Sequence, residues 1–174
     1  MIGELSVRPE RPGDEDGIAR VVNAAFGQTA EGDLVARLRD RGALAVSLVA
    51  EAGGNVVGHV ALSPVTINGR AGGGRWLGLA PLAVDPNRQR RGVGRRLAAA
   101  ALDAAARGDG AVVFVLGDSH YYGALGFEEA IRFGWRCTYD VPSAAFRVRL
   151  LGSPAAEDLP PVGTVRYHEA FDGL

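Results

Sequence analysis

Apolar residues along the chain switch repeatedly between a two-residue spacing and a three-to-four-residue spacing, and each switch predicts a new element. LSVRPE alternates briefly and reads as a first strand. After Pro12-Gly13-Asp14, the run EDGIARVVNAAF places Ile18, Val21, Val22 and Ala25 at helical spacing. A second helix is predicted from Glu31, with Leu34, Val35 and Leu38 on one face and Gly42 ending it. ALAVSLVAE and NVVGHVALSPVTI are β-rich runs separated by Gly53-Gly54-Asn55, residues that tolerate positive φ, so an antiparallel hairpin is predicted there.

The centre of the chain reads as strand, helix, strand: RWLGLAPLAV, then Gly92 to Arg107, then the wholly apolar AVVFVL. That order implies a right-handed parallel crossover, with the last strand buried on both faces. Val93, Leu97, Ala100, Ala101 and Ala104 form the predicted stripe of the helix, and its alanines permit close approach to a sheet. A short helix over 119–125, late strands in WRCTYDV and FRVRLL, and a loop in GSPAAEDLPPVG complete an α/β (α+β) pattern. One domain over residues 1–174 is expected, since 174 residues at 47% hydrophobic suit a single core.

Composition removes several chemistries. A net charge of -1 gives the whole molecule no electrostatic reason to seek nucleic acid or an anionic membrane. No apolar run reaches the roughly 18 residues of a membrane span. The single cysteine, Cys137, cannot form an internal disulfide, and MIGELSVRPERPGDEDG lacks the apolar core of a secretory signal, so a cytoplasmic location is expected. All nineteen basic residues are arginine, which excludes a Schiff-base or P-loop lysine. His59, His120 and His168 are widely spaced, with no HExxH or CxxC pairing, and no metal is assigned.

Against that background, LAPLAVDPNRQRRGVGRRL stands out, because an apolar run holds Pro81 and five arginines then crowd two glycines. Gly92 and Gly94 stand where a loop becomes a helix, so backbone amides and the positive end of the helix dipole make an anion site. Gln89, Arg90, Arg91 and Arg95 add donors that grip phosphate oxygens, and a diphosphate suits the set. A dinucleotide-binding turn is set aside: Gly92-Val93-Gly94-Arg95-Arg96-Leu97 lacks the third glycine, and the loop from Asp85 to Arg91 is too long.

Gln89-Arg90-Arg91-Gly92-Val93-Gly94 resembles the acetyl-CoA signature of the GCN5-related N-acetyltransferases, Gln/Arg-x-x-Gly-x-Gly/Ala between a strand and a helix. The resemblance covers most of the chain, extends through VFVLGDSHYYGALGF and GTVRYHEAF, and is nearest the family's YhbS-like branch. It implies a mixed central sheet flanked by helices, with a bulged strand opening a V-shaped acetyl-CoA cleft. Pro81 falls where the bulge would be. The resemblance implies backbone contacts to pantetheine from Leu82, Ala83 and Val84, and phosphate contacts from Gln89 to Arg95, Val93 included. Arg90 departs from the pattern, since glycine is common there in the YhbS-like loop. A homodimer is the family's habit.

The implied reaction is acetyl transfer to a primary amine of a small molecule or peptide. Tyr122-Gly123-Ala124-Leu125-Gly126-Phe127 matches the family's Tyr-x-x-x-Gly-Phe motif, which makes Tyr122 the candidate acid for the departing thiolate, with Tyr121 its neighbour and rival. Asp118, His120 and Glu31 are candidate bases, Asp118 foremost because it ends a parallel strand, although it could equally cap the next helix. Two other readings stand beside this one. Gly117-Asp118-Ser119-His120-Tyr121 suggests a serine hydrolase but lacks the second glycine of a nucleophile elbow. A non-catalytic acyl-CoA sensor would keep the loop without turnover.

Overall fold

Residues 3–174 are described by a computed structural model. Strand β1 (Ser6–Pro9) leads into α1 (Glu15–Phe26) and α2 (Ala30–Asp40), and a hairpin follows of β2 (Val46–Ala52) and β3 (Asn55–Pro64). Gly53 and Gly54 turn that hairpin at φ 58° and 78°, a backbone that L side chains resist. Next come β4 (Thr66–Ile67), β5 (Arg70–Ala71), β6 (Trp76–Val84), α3 (Val93–Arg107) and β7 (Val112–Leu116). The chain finishes with α4 (Ser119–Ala124), β8 (Glu128–Glu129), β9 (Trp135–Cys137), β10 (Phe146–Leu150) and β11 (Gly163–Arg166).

Seven strands form the main sheet in the order β1-β2-β3-β6-β7-β10-β8, and the pairing of β6 with β7 is its parallel step. Period-two alternation divides the sheet's apolar residues between two faces. Leu48, Ala50, Val60, Leu62, Val113 and Val115 turn to α3, whereas Val49, Ala83, Val112 and Phe114 turn to the α1–α2 side. The buried stripe of α3 is Val93, Leu97, Ala98, Ala101, Leu102 and Ala105, so it lies to one side of the predicted Ala100 and Ala104, which are only half-buried. β7 is buried on both faces from Val112 to Val115, and only Leu116 at its end is exposed.

A second sheet, β5-β4-β11-β9, lies on the α1–α2 face; the sequence pattern marks β9 within WRCTYDV and runs β4 on from β3, but does not set them in a sheet of their own. The predicted strand NVVGHVALSPVTI is two strands: β3 stops at Pro64, and Asn68-Gly69, at φ 50° and 76°, turns β4 into β5. Asn68 also joins the distant β11, donating from Nδ2 to the Val162 carbonyl and accepting from the Thr164 amide. The predicted loop 152–163 is a loop, and it receives the indole N–H of Trp76 at Asp158 O and of Trp135 at Pro161 O. No helix is long and apolar enough to cross a membrane among the described residues.

Candidate active site

The site begins where β6 leaves β7. These strands pair only from Trp76↔Val112 to Leu79↔Val115, while β6 goes on pairing with β3 as far as Val84. The change falls at Ala80–Pro81, two residues that oppose Ala61 alone and are joined by a cis peptide bond. This is a β-bulge, and Pro81 fits it because an interrupted ladder needs no N–H there. Beyond it, Asp85 N–H donates to Val57 O, which fixes the alternation of the β3–β6 ladder. Ala83 therefore turns its amide and carbonyl to His59, and Leu82 and Val84 turn theirs into the gap that opens beside β7. Of the three residues expected to offer backbone to a ligand, Ala83 is the exception: its polar groups belong to the ladder and its methyl is buried against α1.

The gap belongs to a cleft of about 690 Å³ that runs from Ala25 and Phe26 at the end of α1, past Leu82 and Val84, to the head of α3. Ligand pockets generally span about 300–1,000 Å³. Gln89 donates to Val84 O at 3.1 Å, tying the loop back to the strand. Two left-handed residues, Arg90 at φ 60° and Gly92 at φ 83°, then swing the chain into the helix. Gly92 is the N-cap without a side-chain bond, so the first-turn amides of Val93, Gly94 and Arg95 point out of the helix start with no intrahelical acceptor.

The two glycines serve different ends. A Cβ on Gly92 would meet nothing within 4 Å, so glycine is there for its backbone angle. A Cβ on Gly94 would lie 2.7 Å from the Tyr121 hydroxyl, so glycine is there for space. Gln89, Arg90, Gly92, Gly94 and Arg95 line the cleft, Arg91 is exposed beside it, and Val93 sinks its side chain into the core while leaving its amide at the helix head.

Across the cleft stand Tyr121 and Tyr122, their rings edge to face at 5.0 Å. Tyr122 also meets Phe127 edge-on at 5.6 Å and lies so close to Gly117 that a Cβ there would come within 2.5 Å of its ring. The Tyr-x-x-x-Gly-Phe spacing now has a physical reason. Gly126 at φ 85° turns the chain back, Phe127 N–H donates to Tyr122 O at 3.1 Å, and the Phe127 ring becomes a wall for the tyrosine. Burial raises the pKa of both phenols, that of Tyr122 far above its ordinary value with Tyr121 adding to the rise, so both stay protonated at neutral pH.

Residues 44–129 match the family profile of the acetyltransferase (GNAT) domain. Escherichia coli (strain K12) YhbS, described as an uncharacterized N-acetyltransferase, is 38% identical over 169 residues, covering 97% of this chain and 99% of YhbS. The chain belongs to the GNAT acetyltransferase family. YjhQ, another uncharacterized N-acetyltransferase of that strain, is 35% identical over 88% of this chain and 86% of its own. The crystal structure of Escherichia coli YhbS in complex with CoA has a TM-score of 0.88 at 38% identity, over 98% of this chain and 93% of that one. A GNAT acetyltransferase from Brucella melitensis in complex with acetyl-CoA has a TM-score of 0.81 at 35% identity, over 98% and 99% of the two chains.

In this GNAT chain the candidate bases stay outside the cleft lining. Asp118 caps α4, accepting the Tyr121 amide at 2.7 Å; His120 and Ser119 are exposed in the first turn of α4; Glu31 accepts from Gln28 at the start of α2. Sequence reading also passes over a buried polar chain. His59, fully buried on β3, has Nε2 2.9 Å from Ser47 Oγ; Ser47 donates to Glu10, and Arg39 Nε donates to Glu10 Oε1 at 2.6 Å. Burial pushes the His59 imidazole down to about 4, against the pull of Glu10. Its one signal in the sequence is a histidine inside an apolar strand.

Proposed function

We propose that this GNAT protein transfers the acetyl group of acetyl-CoA to a primary amine of a small molecule or peptide, the amine attacking directly. The observation that carries the reading is the gap beside β6, with the outward backbone of Leu82 and Val84 leading straight to the amides at the head of α3. Those strand groups suit the amide-rich pantetheine arm, and the helix head with Gln89, Arg90, Arg91 and Arg95 suits the diphosphate. The complexes of YhbS with CoA and of the Brucella protein with acetyl-CoA support the same ligand.

Acetyl-CoA supplies an activated carbonyl and a thiolate leaving group. The chain's part is to hold it, to narrow the cleft with Tyr121, and to keep a proton at Tyr122 Oη for the departing sulfur. Asp118 enters as the cap that sets α4 and so Tyr122. No carboxylate lines the cleft among the described residues, so the amine arrives unprotonated or loses its proton to water, which suits an α-amine of pKa about 8. A cytoplasmic location and a homodimer belong to this reading, the first on the sequence and the second on the family's habit.

A panel of spermidine, phenylethylamine, free amino acids and short peptides, with thiol release from acetyl-CoA followed, tests the function. Tyr122→Phe is expected to lower kcat about 100-fold or more while leaving KM for acetyl-CoA within about twofold. Because the raised phenol stays protonated, the wild-type rate should show no alkaline fall below about pH 10. An unimpaired Tyr122→Phe removes the acid assignment. The missing carboxylate favours one rival, an acyl-CoA sensor, which would bind CoA yet release thiol with none of these amines.

A further inference from the structure

The helix that carries Tyr122 cannot hold itself in place. α4 spans six residues, none of them fully buried, its one anchor in the core being the part-buried Tyr122 ring, and helices far longer than this are marginal on their own. Its start is fixed by the Asp118 cap. Its end is gripped from outside, by two arginines of β10. Arg149 Nη1 donates to Leu125 O at 2.8 Å, and its guanidinium lies against Gly126, where a Cβ would be 3.5 Å from Nε. Arg147 Nη2 donates to Phe127 O at 3.0 Å while Nη1 donates to Ala144 O at 3.0 Å, and a Cβ on Gly123 would be 3.7 Å from Nη2.

Residues 147 and 149 are two apart on one strand, opposite Val115 and Val113 of β7, so both side chains rise from the face that α4 and Phe127 cover. Neither guanidinium forms an ion pair among the described residues, and Arg147 Nε is buried without a partner. Their charge is directed at carbonyls where α4 ends, the negative pole of the helix, in charge-assisted hydrogen bonds. The grip reaches Tyr122 in one further step, because Leu125 N–H and Phe127 N–H both donate to the Tyr122 carbonyl, at 3.0 and 3.1 Å. A shift of either clamped residue therefore moves the backbone of the candidate acid.

We infer that Arg147 and Arg149 are positioning residues of the acetyl-transfer reaction, a β10 clamp that holds the Tyr122 phenol at its working place in the cleft. The inference rests on the reading of Tyr122 as the acid. Two readouts test it. With phenylethylamine, spermidine and an alanine-first peptide as acceptors, Arg149→Ala should lower kcat about 10- to 100-fold, the scale of a misplacement near 1 Å, with KM for acetyl-CoA within about twofold. Arg149→Lys, which keeps one donor for Leu125 O, should recover part of the loss, and Arg149→Ala in a Tyr122→Phe background should add little.

The second readout needs no acceptor. In protein labelled with 3-fluorotyrosine, Arg149→Ala or Arg147→Lys should shift or broaden the fluorine resonances of Tyr121 and Tyr122 and leave that of Tyr139 in place, Tyr167 following only as far as its phenol feels that of Tyr122. Four unchanged resonances overturn the inference, as does a movement that takes in Tyr139, which would mean a general loosening. Equal kcat in Arg149→Ala and wild type overturns it too, and so does a double variant whose losses multiply. A neutral Tyr122→Phe is distinguishable from all of these: it overturns the acid reading itself, and the clamp's role in catalysis with it.

Discussion

At Arg90 the backbone accounts for the position better than the guanidinium does. Its φ of 60° is left-handed, a conformation that costs an L residue roughly 1 kcal/mol or more and glycine almost nothing. That explains why the pattern this loop resembles favours glycine there, a departure visible in the sequence without its cause. Arg90→Gly should therefore be more stable than Arg90→Ala by about 1 kcal/mol in urea denaturation, after allowance for the freer unfolded chain; equal midpoints would mean that the loop is not left-handed at this residue. Of the residues the sequence singles out, Gln89, Gly92, Gly94 and Tyr122 line the cleft, whereas Asp118 and Arg91 stand outside its lining. Ala83 was not separable from Leu82 and Val84, because which way an amide points depends on ladder phase, which one strand's sequence does not contain. His59 shows no network in the sequence because its partners, Ser47, Glu10 and Arg39, converge only in three dimensions.

Among elements, the long periodic ones are legible, and so are β1, α4, β9 and β10, short runs that fall inside the predicted segments, whereas the two-residue strands are not. α1, α3, the β2–β3 hairpin and the buried β7 follow from apolar spacing and turn glycines, since each has enough residues for a pattern to repeat. β4, β5 and β8 have two residues apiece, too few to show alternation, although Asn68-Gly69 was a hairpin signal hidden between them. On the proposed reading the coenzyme is held at the junction of β6 and α3. Arg91→Glu combined with Gly94→Asp places two negative charges at an anion-seeking helix head, and Asp at 94 also crowds the Tyr121 hydroxyl, which would lie 2.7 Å from its Cβ. CoA affinity measured by calorimetry should fall about 100-fold or more, with the unfolding midpoint little changed. An affinity equal to wild type would separate this junction from coenzyme binding.

For the molecule as a whole, buried charge chemistry predicts how stability depends on pH. His59 is held neutral, with its pKa brought from 6.5 to about 4 chiefly by burial, so the unfolded chain binds its proton first as pH falls. Stability should therefore be full above pH 6.5, decline between 6.5 and about 4 by at most about 3 kcal/mol, and gain nothing further from this group below that. Asp14 acts in a lower window. Its hydrogen bonds to Arg8 hold it at about 2, so the stability it lends is present above its ordinary 3.8 and is lost as pH falls toward 2. Urea midpoints taken across this range should trace two successive declines, and His59→Phe should flatten the first; a wild-type curve level from pH 6.5 to 4 would contradict the buried neutral imidazole.

The proposed activity depends on the opening of the main sheet at Ala80–Pro81 and on what occupies it. A crystal structure of the protein grown with CoA tests that most directly. The diphosphate is predicted on the amides of the first turn of α3 beside Gln89 and the loop arginines, with the pantetheine arm hydrogen-bonded to Leu82 and Val84 and its sulfur near Tyr122. Coenzyme bound elsewhere on the molecule, or β6 and β7 paired without interruption through Val84, would contradict it.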